Sequence, residues 1–164
     1  MRGRLHIQTT TNDGRIIDSR DACNSVLKAG GELVARLFTR GGTPITHMGV
    51  GASDAPVDDA FTITSLTNPD SALAGAVEVA LEPDAFTVET DEVKRLVRVR
   101  VRGTLPRDAA VGTILEAGLL SRTEGQPPVL YNRVTFAPIK KGDDHELTMF
   151  WEVSFPYGDL HWMF

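Results

Sequence analysis

Cysteine is almost absent from this chain of 164 residues. The single Cys23 cannot close an internal bridge and offers no thiolate zinc set, so the sequence is compatible with folding in a reducing compartment. Basic charge is also scarce. Lys and Arg number 17 against 22 Asp and Glu, a net charge of -5. General binding to nucleic acid or to an anionic membrane needs a positive field, so this balance argues against both. No run of eighteen apolar residues occurs, and Met1-Arg2-Gly3-Arg4 leads straight into polar sequence without an apolar signal core. The expectation is synthesis in the cytoplasm without a signal peptide. What is present is a hydrophobic content of 41%. A chain this long buries about 70% of its unfolded surface, which makes one domain the natural reading and removes the need for metal or disulfide staples.

The order of periodicities predicts a mainly β protein with one helix. Arg4 to Thr9 alternates apolar and polar, Asn12-Asp13-Gly14 is turn chemistry, and Arg15 to Asp18 resumes a β-like run, which reads as an N-terminal hairpin. From about residue 21 to residue 38 the spacing changes. Val26, Leu27, Gly30, Leu33, Val34, Leu37 and Phe38 recur every three or four positions, as on one face of a helix, and Gly41-Gly42 is expected to stop it. Gly30-Gly31 costs helix propensity and predicts close packing against a sheet. Later strands are expected at Ile45 to Gly51, Phe86 to Glu89, Leu96 to Arg102, Thr113 to Leu120, Val129 to Phe136 and Leu147 to Phe155. Lys140 to Asp144 reads as a turn joining the last two into an antiparallel hairpin. The fold expected is an antiparallel β-sandwich with an N-terminal hairpin and a packed amphipathic helix. Within it, Leu147, Met149, Trp151, Val153 and Phe155 meet Val97, Val99 and Val101 in the core. Residues 1–155 form the domain and 156–164 an apolar tail.

Motifs for chemistry are thin. Gly49-Val50-Gly51-Ala52-Ser53 lacks the third glycine of a dinucleotide loop and the lysine of a phosphate loop, so a tight strand exit is the simpler reading. His6, His47, His145 and His161 show no helical pair spacing for a metal, and Asp54, Asp58 and Asp59 lack the ligand alternation of a calcium loop. No nucleophile elbow occurs. The sequence thus predicts no catalytic residues, no cofactor and no metal. Glu116 and Arg133 each place a charge inside an apolar strand. The plain reading is a structural ion pair, and the sharper one is a general acid, which a lone carboxylate cannot specify. Arg98, Arg100 and Arg102 alternate along one strand face and, with Trp162, Met163 and Phe164 at the apolar end of the chain, make the candidate interface. The arginines could alternatively hold an anionic sugar or phosphate.

Several blocks in order resemble small virion proteins of tailed bacteriophages and related contractile particles. They are Gly30-Gly31-Glu32-Leu33-Val34-Ala35-Arg36-Leu37-Phe38, Ile45-Thr46-His47-Met48-Gly49-Val50-Gly51 and Ile114-Leu115-Glu116-Ala117-Gly118-Leu119, then Asn132 to Lys141 and Glu146 to Phe155. The resemblance implies a non-enzymatic tail, baseplate or fibre-attachment component in the virion, a homo-oligomer partnered by other tail proteins, with no nucleic acid or membrane partner. The rival from another class is a carbohydrate-binding or receptor-binding module that recognises a host surface glycan. A glycan-cleaving enzyme would need two carboxylates across a cleft, and the sequence singles out no such pair.

Overall fold

The computed structural model describes residues 2–58 and 61–159. Strands β1 (Arg2–Thr10) and β2 (Ile16–Val26) form the expected antiparallel hairpin, with Gly14 at φ +79° in the turn. Period-two alternation assigns their sides. Leu5, Ile7 and Thr9 are buried, whereas Arg4 is exposed and His6 and Gln8 are half-buried.

The helix is shorter than the expected 21–38. Residues 21 to 26 continue β2, with Ala22 opposite Leu5 and Asn24 opposite Gly3, and α1 runs only from Lys28–Leu37. Exposure alternates across Asp21-Ala22-Cys23-Asn24 as in a strand, and the pairing with β1 settles it. Gly30 and Leu33 are buried and Val34 is half-buried, but Leu37 and Phe38, expected on the same face, are exposed. A Cβ on Gly30 would lie 2.0 Å from the Tyr131 carbonyl oxygen, so the close packing expected of the glycine pair is real at Gly30. Gly31 faces open space. Arg40, at φ 60°, takes the left-handed conformation after the helix, the role expected of Gly41-Gly42.

The remaining strands are β3 (His47–Gly51), β4 (Glu78–Ala80), β5 (Phe86–Asp91), β6 (Leu96–Leu105), β7 (Gly112–Ser121), β8 (Val129–Leu130), β9 (Asn132–Lys141) and β10 (Glu146–Pro156). The mainly antiparallel β class with one helix is thus what the chain adopts. Its strands lie along one hydrogen-bonded path, β4-β3-β7-β9-β2-β1-β10-β6-β5, with β8 on β7. The sheet curls into a half-barrel. The β2–β9 junction is only two residue pairs long, Ser25 with Arg133 and Val26 with Asn132.

Two expectations need correction. Lys140 to Asp144 does not join a hairpin, because β9 pairs with β7 and β2 while β10 pairs with β1 and β6. A turn between consecutive strands normally pairs them, and here the curl of the sheet separates them instead. The second concerns the two apolar rows. Val101, with Val99 packed beside it, does share one core with Leu147, Met149, Trp151 and Val153, but as in-sheet neighbours: Trp151 is opposite Val101, Val153 opposite Val99 and Phe155 opposite Val97, so the rows lie side by side and do not face each other across the core. Met48 of β3 does face Gly103 of β6, where a Cβ would lie 2.8 Å from its sulfur. The shared core joins Leu5, Ile114, Leu119, Leu147, Met149 and Trp151. A smaller cluster of Leu27, Leu120 and Leu130 is covered by Val57, Ile63 and Leu66 of the long segment after β3. No helix among the described residues is long and apolar enough to cross a membrane.

Candidate functional site

Two polar constellations stand out, one buried and one on the outer sheet face. The buried one begins with a register shift on β7 between Ile114 and Glu116. Across that irregularity Ile114 and Ala117 both join the main core, while Glu116 lies beneath the segment following β3. The Arg133 Nε donates to Glu116 Oε2 at 2.5 Å, and the side chains are 2% and 1% exposed. Glu116 Oε1 accepts the Thr67 backbone N–H at 2.7 Å. Arg133 Nη1 donates to the Ala55 carbonyl at 2.6 Å and Nη2 to the Ser53 carbonyl at 3.2 Å. Both carboxylate oxygens and all three guanidinium nitrogens are therefore engaged, and the pair fastens both ends of the 53–67 segment to the sheet. Such multiple hydrogen bonding is what offsets the desolvation of two buried charges. Gly51 makes room for the carboxylate, since a Cβ there would lie 2.2 Å from Glu116 Oε1.

The expected arginine row occupies the outer face of β6, in register with β10 and β5. Arg98 donates to Asp91 at 2.7 Å, and the Lys94 backbone N–H joins it in holding the Asp91 carboxyl below its ordinary value, the Lys94 bond contributing most. Arg100 donates to Glu89 at 3.1 Å and to Glu152 at 3.3 Å. Arg102 makes no ion pair among the described residues. Its guanidinium lies 5.8 Å from the centroid of the Phe150 ring. Sequence reasoning found the row but missed its partners, because Asp91, Glu89 and Glu152 come from two other strands. Trp162, Met163 and Phe164, the remaining members of the candidate interface, lie outside the described residues.

Phe150 is flanked on its other side by His6, with ring centroids 6.0 Å apart. Asp21 Oδ1 accepts from His6 Nδ1 at 2.9 Å, so that nitrogen carries a proton, and Gln8 Nε2 donates to His6 Nε2 at 3.1 Å. Asp21, His6, Phe150 and Arg102 thus form one lateral row across four strands, set by the pairings His6–Asp21, His6–Phe150 and Phe150–Arg102. They line a groove of about 500 Å³ that also takes in Arg4, Asp84 and Glu152. Strand alternation at His6 and Phe150 was the available signal, but one strand's pattern cannot show which strand lies beside it.

Elsewhere, Arg122 grips Glu78 of β4 with two bonds, Nε to Oε2 at 2.5 Å and Nη2 to Oε1 at 2.8 Å, and the hydrogen bonds raise its pKa. Lys141, expected in a turn, is 2% exposed on β9 and donates to the Arg107 carbonyl at 3.0 Å; burial lowers its pKa. Burial also pushes the Tyr131 phenol up to about 12. No cluster of three His, Cys, Asp or Glu side chains suited to a metal occurs among the described residues. No family model, curated protein or solved structure matches the chain.

Proposed function

We propose that the protein is a structural component of a phage tail or tail-like particle, a baseplate, tail-tip or fibre-attachment module that acts by protein–protein assembly. The curled sheet would serve as the two layers of a β-sandwich, and the virion tail would be its place of work. The particle setting rests on the ordered sequence blocks described above. The observation that carries the assembly role is the edge strand β5. Among the described residues it ends the strand path, with β6 on one side only, and Val88 on it is 68% exposed, with Val93 in the following turn 96% exposed. An open edge presenting unpaired backbone groups and an exposed β-branched residue is a template for pairing with another chain. The engaged state of Glu116 also supports a structural reading over an acid catalyst.

Sedimentation of the purified chain tests this. Self-association is expected at micromolar concentration, and Val88→Lys, which adds a charge to the edge without touching the core, is expected to abolish it while leaving Tm unchanged. A wild-type chain that stays monomeric and joins no tail protein would overturn the reading. A second reading, a receptor-binding module, is favoured by the half-exposed Phe150 beside Arg102 in the outer groove.

A further inference from the structure

We propose that the groove on the outer sheet face binds an acidic sugar, a pyranose unit carrying a carboxylate beside its hydroxyls. This names the ligand class for the receptor-binding reading and rests on that reading, not on assembly.

Size is the first argument. The groove holds about 500 Å³, within the usual range for small-molecule sites and far more than a single inorganic anion fills. His6, Phe150 and Arg102 span three adjacent strands, about 10 Å at roughly 4.8 Å per strand, enough for a hexose ring to lie across them.

Charge is the second. Arg98 and Arg100 are committed to carboxylates, whereas Arg102, and Arg4 on the same groove wall, make no ion pair among the described residues and keep donors open to an incoming carboxylate. The position of Arg102 over Phe150 limits the conformations it would lose on binding. Asp84 stands in the same groove with Asp21 and Glu152, which are held by His6 and Arg100, so a phosphate dianion or a polyanion meets more repulsion there than a single carboxylate does. Carboxylates only accept hydrogen bonds, and hydroxyls are the donors that match them. A carboxylate with several hydroxyls beside it satisfies both sets. Phe150, 37% exposed, supplies apolar surface for the C–H groups of the ring.

The experiment titrates the full chain, at concentrations where it is monomeric, with an oligosaccharide containing glucuronic acid. Parallel titrations use the same oligosaccharide with its carboxyl reduced to an alcohol, and inorganic phosphate. Saturable binding is expected for the acidic sugar, at least tenfold weaker for the reduced one, and no competition from equimolar phosphate. Arg102→Gln should weaken acidic-sugar binding at least tenfold, converging on the affinity of the reduced sugar. Asp84→Asn, at a rim position that makes no ion pair among the described residues, should weaken it severalfold with Tm unchanged and serves if Arg102→Gln folds poorly. Absence of saturable binding by the wild-type chain, binding indifferent to both substitutions, or equal binding of the reduced sugar would overturn the proposal. Competition by phosphate would reduce the groove to a simple anion site and overturn it equally. Because the readout is monomer binding, failure here leaves the assembly reading standing, and failure of self-association leaves this one.

Discussion

Arg133 and Glu116 meet at 2.5 Å with almost no exposure to water, and between them they hold the backbone of Ser53, Ala55 and Thr67. The charges therefore act as a clasp for a long segment that has few regular backbone partners of its own. Breaking a buried pair from one side costs about 3–5 kcal/mol, because the remaining charge stays desolvated. Glu116→Gln and Arg133→Met should each fall near that range in urea unfolding. The double variant should lose far less than their sum, with a coupling above about 1 kcal/mol. Additive losses would show that the two side chains act separately.

The glycine pair of α1 gives a prediction with two signs. Gly30→Ala places a Cβ 2.0 Å from a backbone oxygen of Tyr131, which cannot withdraw like the end of a flexible side chain. It should lower stability by more than about 1 kcal/mol, as overpacking does. Gly31→Ala meets nothing and should gain about 0.5–1 kcal/mol from helix propensity. Thermal melts of the two variants check it, and shifts of the same sign would contradict the packing of the helix on Tyr131.

Trp151 is 1% exposed in the shared core, beside Val101 in register. Trp151→Ala should cost about 3–5 kcal/mol and largely prevent folding. A loss below about 1 kcal/mol, read by denaturant titration, would contradict this register for β10.

Alkaline pH gives a fourth outcome. The folded Tyr131 phenol titrates at about 12 against 10.0 for the free side chain, so its neutral form is favoured by the fold. That contribution is intact below pH 10 and is lost as pH rises towards 12, on the order of 2–3 kcal/mol in all. Lys141 works in the opposite sense. Its lowered pKa means that stability is regained as pH rises from its folded value towards 10.5. Unfolding free energies measured from pH 9 to 12 should therefore show a late fall that Tyr131→Phe flattens and Lys141→Met leaves in place. A fall unchanged in Tyr131→Phe would assign it to other groups.

The sequence made the strands legible wherever one face was apolar, as in Leu147 to Phe155 and Val97 to Val101, and it placed the N-terminal turn at Asn12-Asp13-Gly14. It misjudged elements whose fate depends on a neighbour. Residues 21 to 26 carry weak signals for both periods, and only pairing with β1 makes them strand. Lys140 to Asp144 has turn chemistry, yet turn chemistry does not say whether the flanking strands pair. The Glu116 and Arg133 charges were visible as anomalies in apolar strands, whereas the carbonyls that complete the clasp are backbone groups with no sequence signature. The outer groove was hidden for a related reason. Its row draws one residue from each of four strands, and register between distant strands is a property of the assembled sheet.

Imaging of whole particles assembled with and without the protein tests its proposed role most directly. Particles lacking it should have incomplete tails or lack fibres, the wild-type chain should restore them, and Val88→Lys, with its altered β5 edge, should not. Complete tails and fibres in its absence would contradict the assembly role. If such particles were intact but failed to adsorb to their host, the receptor-binding reading would take its place.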